Sequence, residues 1–512
     1  MHAPTGGWKR LAPEPPSPRT AHVEETMRFG RGRVVRLAVL AAAMTTAACT
    51  STATQTTLRS AEADADVRAA ATKAARTEAP SLERSPESAS PDDRPPALAP
   101  AEEAKLAQSI DLPSLEAAVI ARQPSLVAAS HRVRALIERA RAEGKLPPPE
   151  VMADVWQVPF TKPYAFDRAA MIMFSIRQQF PAAGSLDRMA ESMAQEAHAE
   201  AAKAAVEARA LVRETDRAFV AYAEASARHG AHDAHRTIVD QMAAAARARY
   251  STGGPLGDVT RSQLELARTE AEVAREHGMV SEARARLNGL LSRAVDAPLG
   301  AAAWADPRTV AIAPEQAAAL AAAGNPEVAM ADRMEKSARA AAEAAERMAS
   351  VPMFTAGVSV SMPTNDMPAG YGLSFGMSLP WAWGAASGRQ RSAEQKALAE
   401  RAAAQGARLR VRTDAAMALA SVRAAERRYL VLRDTAVPAA HRALDAARAG
   451  YAAGGTDLLM WLDAARAALE IEVDLATAHG DLDRALADLD WAAGAHVPRA
   501  PLPASKDQRH AP

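Results

Sequence analysis

The chain has 512 residues and balances 61 Lys and Arg against 61 Asp and Glu, so its formal net charge at pH 7 is zero. Because there is no excess of positive charge to attract a polyanion, we expect no nucleic-acid partner. Aromatic residues make up only 4% of the chain, and Ala, Arg, Glu and Leu dominate its long stretches. These residues lose little entropy in a helix, so the composition predicts a mainly helical protein.

The N-terminal residues 1–48 have the layout of a secretory signal. Basic residues from Arg28 to Arg36 precede an apolar run from Leu37 to Met44, which small residues follow, and Met27 can serve as the start of translation. The apolar run is shorter than the roughly 20 residues that a membrane-spanning helix needs. The pattern therefore predicts export without a helical anchor.

Cys49 is the one cysteine of the chain, so no internal disulfide can form. The stretch from Thr46 to Cys49 resembles a bacterial lipoprotein cleavage box, with Thr46 in place of the usual Leu, and it predicts lipidation of Cys49. The alternative is ordinary cleavage that leaves an inert cysteine. Residues 49–112 are rich in Ala, Ser, Thr, Pro and charge over most of their length, which predicts a disordered tether.

An internal duplication is visible as markers that recur at offsets of 201 to 203 residues. This offset lies far outside the 20 to 50 residues of solenoid repeats, so the chain is one duplicated half. The halves are residues 113–312 and 313–495, followed by a predicted disordered tail over 496–512. The paired markers are Gln123-Pro124 with Asn325-Pro326, Pro149 with Pro352, Phe174 with Phe375, and Tyr250–Gly254 with Tyr451–Gly455.

Each half carries two runs of alternating apolar and polar residues, which predict strands. The first half has them at about 150–158 and 170–180, and the second at about 353–362 and 371–380. Runs of about ten residues with one apolar face suit tilted strands crossing an outer membrane, although a soluble sheet packed on helices has the same pattern. The residues predicted to face lipid are Ile172, Phe174, Phe354, Val358, Val360, Phe375 and Leu379.

The segments that follow the hairpins favour the membrane interpretation. Pro181 to Tyr250 contains almost no helix breaker after Gly184, which predicts a helix on the order of 100 Å long. A similar segment runs from Gly388 to Ala453, and two such rods cannot both wrap one small sheet. Because the smallest bacterial barrels have about eight strands, four strands per chain require at least a dimer.

A family resemblance rests on several of these motifs together. The stretch from Tyr451 to Ala464, with its Leu462-Asp463-Ala464, is the most specific, and Tyr250 to Asp258 is its partner in the first half. Over about residues 113–493 the chain resembles the TolC-type outer-membrane factors of tripartite efflux pumps and type I secretion. The supporting motifs are Leu146–Glu150, Phe180–Gly184 and Asn325-Pro326-Glu327.

The resemblance implies a homotrimer in the outer membrane that extends into the periplasm, with a 12-stranded β-barrel, four strands per protomer, above a trimeric α-barrel tunnel. It implies a passive exit duct for metal ions or drugs, opened by a periplasmic adaptor and driven by an inner-membrane pump. Asp463 matches the family's aperture position, while Met460 occupies the position one turn earlier where the family has a second acidic residue. The tip residues that would contact the adaptor are Gly253, Gly254, Asp258, Gly454 and Gly455.

Other chemistry has little support in the sequence. His229, His232 and His235 recur at three-residue spacing and are weak candidates for a metal site, since exposed polar clusters are common on long helices. No phosphate-binding loop or nucleophile motif is present, so we expect neither an enzyme nor a cofactor. The alternative function is a lipid-tethered periplasmic coiled-coil spacer without a pore.

Overall fold

The computed structural model describes residues 52–64, 100–158, 161, 164, 169–363 and 368–503. Its helices are α1 (Thr52–Asp64), α2 (Pro100–Gln108), α3 (Leu112–Arg122), α4 (Pro124–Glu143), α5 (Ser185–Ser251), α6 (Leu256–Leu290), α7 (Pro314–Gly324), α8 (Pro326–Ser350), α9 (Ala385–Val431), α10 (Val437–Ala452) and α11 (Leu458–Ala493), with a π-helix at Leu432–Ala436. Its strands are β1 (Ser109–Ile110), β2 (Glu150–Trp156), β3 (Met171–Phe180), β4 (Ala301–Ala302), β5 (Arg308–Thr309), β6 (Met353–Pro363), β7 (Gly370–Ser378) and β8 (Ala500–Pro501).

The predicted duplication is confirmed by the order of these elements. Helix α4 leads into β2 and β3, then α5, a turn and α6, and the second half repeats this order from α8 to α11. Each long helix begins directly after a glycine with positive φ, Gly184 at 78° and Gly384 at 72°. The fold is therefore mainly α, with two β-hairpins that join into one antiparallel sheet of order β2-β3-β6-β7.

The two long helices differ in one respect that the sequence pattern did not predict. Helix α5 runs unbroken for 67 residues, about 100 Å. Its counterpart is interrupted by the π-helix after the 47 residues of α9, and α10 follows. Pro438, in the first turn of α10, cannot donate to the carbonyl oxygen of Asp434, and the wider π turn accommodates this missing hydrogen bond.

The predicted tether over 49–112 is wrong for its described residues. Helix α1 packs on α4 and α5 through Leu58 and Ala61, which are 8% and 0% exposed. The Nδ1 atom of His198 on α5 lies 2.6 Å from Asp64 Oδ2 and fixes the end of α1. Ser60 and Glu62 add polar contacts to His198 and to Arg141, so a few apolar and several polar contacts order α1 on the α4–α5 surface. Cys49, the signal region and residues 65–99 lie outside the described residues.

The predicted disordered tail is also wrong over residues 496–503. Val497 is 1% exposed and its backbone N–H donates to Asp490 Oδ1 at 2.9 Å. Strand β8 pairs antiparallel with β5, and the carbonyl of Pro503 accepts a hydrogen bond from Arg433 at 2.9 Å. This short segment therefore ties α11 to the π-helix. Residues 504–512 lie outside the described part of the chain.

The interior is built largely from alanine, which lets helices approach closely. One core cluster joins α7, α8, α9 and α11 around Leu419, Leu482 and Leu486. A second joins α3, α5 and α6 around Leu115, Phe219 and other buried side chains. Within the described residues, no helix is both long enough and apolar enough to cross a lipid bilayer.

A pair of buried carboxyl groups joins α3 to α5. Glu116 and Asp216 hydrogen-bond to each other at the wall of a cavity of about 820 Å³, and Asp216 is only 8% exposed. Burial raises the pKa of both groups, that of Asp216 well above its usual value, and their mutual repulsion adds to the shift of Asp216. Because two charged carboxylates would repel each other in this buried position, the protonated form of the pair is favoured.

This pair makes the stability of the fold depend on pH. A raised pKa in the folded state means that the stabilising contribution is present at low pH and is lost as the pH rises through that pKa. We expect the thermal unfolding midpoint to fall between pH 5 and pH 8, and to fall less in Asp216→Asn, when followed by circular dichroism. The exposed Asp414→Asn serves as control and should retain the wild-type dependence. Equal pH dependence in all three proteins would contradict this assignment.

Candidate functional site

The four-stranded sheet separates apolar from polar side chains onto opposite faces. The register pairs Phe174 with Val360 and Ile176 with Val358, and Val358 in turn lies opposite Leu373. Directly paired residues of an antiparallel sheet share a face. The apolar rows of both hairpins therefore form one continuous surface across the sheet.

This apolar surface is not covered by any helix in the described part of the chain. Of the residues predicted to face lipid, Phe375 is 83% exposed, Phe354 50% and Phe174 49%, and Val358 is 46% exposed. Val360 is at 36%, Ile172 is half-buried, and Leu379 at 46% lies one residue beyond β7. Exposed apolar surfaces of this extent mark contact with another protein or with a membrane. Their role as lipid-facing residues remains a prediction.

The opposite face is polar, and on the second hairpin, β6 and β7, its side chains are very small. Small residues pair across β6 and β7, with Ser359 opposite Gly372 and Ser361 opposite Gly370. The Ser361 hydroxyl donates to the carbonyl of Gly370 at 3.1 Å. A Cβ atom on Gly372 would lie 2.7 Å from Ser359 Oγ, so a glycine is required at this position if the serine keeps its rotamer.

The turns at the far end of the long helices repeat one geometry. Gly253 and Gly454 both have positive φ, 95° and 77°. The N–H of Gly254 donates to the Arg249 carbonyl at 2.9 Å, and the N–H of Gly455 donates to the Gly450 carbonyl at the same distance. Both are the long hydrogen bonds that close a helix end around a left-handed glycine. We call these two turns, residues 252–257 and 453–457, the first and second tip turns.

Contacts also join the two tip turns within one chain. The Tyr451 hydroxyl lies 3.4 Å from Asp258 Oδ2, and the guanidinium of Arg249 sits 5.0 Å from the centre of the Tyr451 ring. Trp461 packs against the same ring, with centroids 5.4 Å apart. Asp258 is therefore held by the second half of the chain, while the tip glycines stay at the surface, three exposed and Gly254 half-exposed.

Asp463 is the most exposed acidic side chain of the salt bridges near the tips. Its side chain is 65% exposed and its nearest cation is Arg466, one turn along α11 at 3.9 Å. Met460, one turn earlier on the same face, is 56% exposed. The structure thus places the predicted aperture carboxylate where it can face another copy of the chain or solvent, with a thioether beside it.

An ion pair that sequence reasoning missed lies just behind Asp463. The Arg466 guanidinium donates to both carboxylate oxygens of Glu265, one of them at 2.9 Å, and Glu265 is 7% exposed. These hydrogen bonds lower the pKa of the Glu265 carboxyl. The two residues are 201 positions apart, which is the repeat offset, so equivalent positions of the two halves carry opposite charges and meet. That offset was the signal that could have found them.

The three histidines do not assemble into a metal site. His232 and His235 are 8% and 5% exposed on α5, and burial lowers the pKa of both imidazoles. His229 packs edge-on against His277, with centroids 5.8 Å apart. Among the described residues, no group of three or more His, Cys, Asp or Glu is arranged to hold a metal ion. The histidines are packing residues of the helix interface.

Over part of its length the chain is similar to a family of outer membrane efflux proteins, and its fold is similar to that of solved outer-membrane channels. Residues 317–495 match the family model described as outer membrane efflux protein. The structure of the outer-membrane channel OprN is similar with a TM-score of 0.61 and 20% identity, covering 75% of this chain and 89% of that one. No curated protein matches the chain by sequence.

Two further solved structures have the same fold. CusC, reported for its folding and transmembrane channel formation, matches with a TM-score of 0.65 and 16% identity over 75% of this chain and 92% of its own. The open state of the MtrE outer membrane channel of Neisseria gonorrhoeae matches with a TM-score of 0.62 and 17% identity over 81% and 98%. The predicted TolC-type resemblance and mainly α fold class are confirmed, and the matches support the predicted outer-membrane location.

The Glu265–Arg466 pair should stabilise the tip end of the helices. In Arg466→Met the buried carboxylate loses its donors, which costs roughly 1 to 3 kcal/mol at pH 7. Because Glu265 has a lowered pKa, this contribution is lost as the pH falls, and the deficit should shrink near pH 4. Thermal unfolding at both pH values measures it. Arg339→Met, which removes a side chain 79% exposed and paired on the surface, is the control and should change little.

Proposed function

We propose that the chain is one protomer of an outer-membrane efflux channel, a passive duct through which a pump in the inner membrane exports its substrates. The observation that carries this proposal is the exposed apolar face of the β2-β3-β6-β7 sheet. A water-soluble spacer would have no need of such a surface. A channel needs it because lipid surrounds the outer wall of its barrel.

The open edges of the sheet support a trimer. Among the described residues, strands β2 and β7 each pair on one side only, which leaves a row of backbone groups along each outer edge without strand partners. In lipid such groups must be satisfied, and only closure of the sheet achieves this. Three copies joined edge to edge supply twelve strands, above the minimum of about eight for a bacterial barrel. The long helices then continue the duct into the periplasm.

Helix α10, which leads to the second tip turn, is the part of the chain that we propose moves when the duct opens. Helix α9 is held in the core by Val411, Leu419 and other buried side chains, whereas α10 beyond the π-helix packs mainly on α11. A π-helix is a weak point in a helix and is often found at functional sites. We propose that an adaptor contacts Gly253, Gly254, Asp258, Gly454 and Gly455 and swings α10 and the start of α11 outward.

Closure would depend on Asp463. Three symmetry-related carboxylates at a narrow aperture attract cations and exclude anions until α10 and the start of α11 move apart in the three copies. The duct has no catalytic task and needs no cofactor, and its substrates, metal ions or drugs, are chosen by the pump. Lipidation of Cys49 would add an anchor at the N-terminus.

The lipid-facing assignment can be tested by moving one charge between adjacent residues. Phe375→Lys places an ammonium on the proposed lipid face and should reduce folding into bilayers by about 2 to 4 kcal/mol. Ser374→Lys, on the polar face of the same strand, is the matched control and should cost far less. Heat-modifiable mobility on gels after vesicle insertion reports the folded fraction. Equal tolerance of both variants would instead favour the pore-free spacer.

The aperture can be tested in planar bilayers. Asp463→Asn should raise the open probability of channels that are mostly closed in the wild type and should weaken their block by divalent cations, because three charges leave the constriction. Asp445→Asn, a neutralised carboxyl on the exposed face of α10, is the control and should behave as the wild type. A wild-type response from Asp463→Asn would remove this residue from the gate.

A further inference from the structure

The polar face of the sheet is divided into two unlike hairpins. On β6 and β7 it carries only small neutral residues between the Met353 and Pro363 ends of β6, among them Gly357, Ser359 and Ser374. All the charged residues of the polar face lie on β2 and β3, and they are Glu150, Asp154 and Arg177. The charge of this face therefore belongs to the first hairpin alone.

The positive charge sits at the end of the hairpin nearest the long helices. Arg177 lies directly opposite Glu150 on one side and Gly357 on the other. A Cβ atom on Gly357 would lie 3.0 Å from the Arg177 Cγ, so the aliphatic part of the arginine side chain packs over Gly357 of the second hairpin. The Glu150 carboxylate accepts a hydrogen bond from Gln179 Nε2 at 3.2 Å. Arg177 and Glu150 thus offset each other at one level of the wall.

Asp154 stands apart from that pair. It is half-exposed, lies opposite Met173 and has Met152 and Trp156 as its neighbours along the same face of β2. Its carboxylate makes no hydrogen bond or ion pair to any other described residue. With Glu150 and Arg177 balanced, Asp154 supplies the net charge of −1 that each sheet presents on its polar side.

This charge is strong enough to matter only when salt is low. Twelve strands about 4.8 Å apart and tilted by about 40° close into a barrel roughly 24 Å across, so its centre is about 12 Å from the wall. The Debye length is about 30 Å at 0.01 M salt, about 10 Å at 0.1 M and about 3 Å at 1 M. Carboxylates on the wall therefore act across the lumen in dilute salt and are screened in concentrated salt.

We propose that Asp154 is the residue that sets the ionic selectivity of the barrel, favouring cationic over anionic permeants, and that Arg177 moderates this preference. This inference rests on the proposed channel, in which the polar face lines the lumen. It assigns selectivity to the β-barrel, at the opposite end of the protomer from the tip turns and Asp463. Cationic substrates, whether metal ions or protonated amines, would find a favourable exit, and anionic ones would not.

The test is the cation-to-anion permeability ratio of the full chain in planar bilayers under a KCl gradient from 0.01 to 0.1 M. All variants are made in an Asp463→Asn background, which removes the aperture charge. Asp154→Asn should lower the ratio about twofold or more toward unity, and Arg177→Gln should raise it. Both effects should vanish at 1 M KCl. Ser374→Asn, a neutral substitution on the polar face of β7, is the matched control and should leave the ratio unchanged.

The outcomes separate this inference from the proposed function. Channels of normal conductance whose permeability ratio is the same with and without Asp154 would overturn the inference and leave the channel intact. An effect of Asp154→Asn that persists at 1 M KCl would also overturn it, because the cause would not be a screened charge. If no variant and no wild-type protein formed channels, the proposed function and the inference would fall together.

Discussion

The four-stranded sheet has two unpaired edges and one exposed apolar face, and together these features restrict how the protein can assemble. Backbone N–H and C=O groups at the edges of β2 and β7 need partners, and the exposed row that includes Phe174, Val358 and Phe375 needs an apolar surrounding. In the proposed channel, closure with further copies would satisfy the first need and lipid would satisfy the second. The four helices that connect directly to the sheet, α4, α5, α8 and α9, all lie at one end of it, because β2 and β6 begin at the end where β3 and β7 finish.

Duplication provides that geometry twice, and small departures from it provide function. The halves share the glycine that starts each long helix and the hydrogen bonds of each tip turn, and they meet where Glu265 and Arg466 occupy equivalent positions. They differ where Pro438 forces a π-helix, so that one arm is continuous and the other is jointed. They differ again in the sheet, where one hairpin carries the charges of the polar face and the other carries serine and glycine.

Much of this architecture could be predicted from the sequence because it is periodic. Alternation around Phe354 and Phe375 predicted the strands, and the absence of breakers after Gly184 predicted α5. Local composition failed where order depends on a distant surface. Helix α1 is ordered by α4 and α5, and Val497 by Asp490 on α11, so neither could be found in the segment itself. The π-helix could not be predicted because Pro438 alone does not show whether a helix kinks, ends or widens by one residue. The Glu265–Arg466 pair could be found only by assuming that equivalent positions of the two halves are in contact.

Molecular mass and conductance, measured on the same purified, detergent-solubilised protein, test whether three chains close into a barrel. Light scattering corrected for detergent gives the number of chains, and a planar bilayer gives the channel activity. A closed barrel of three chains should appear as a trimer that inserts as discrete channels. A monomer that remains silent in the bilayer would contradict the closed barrel and leave a helical spacer with an unexplained apolar sheet.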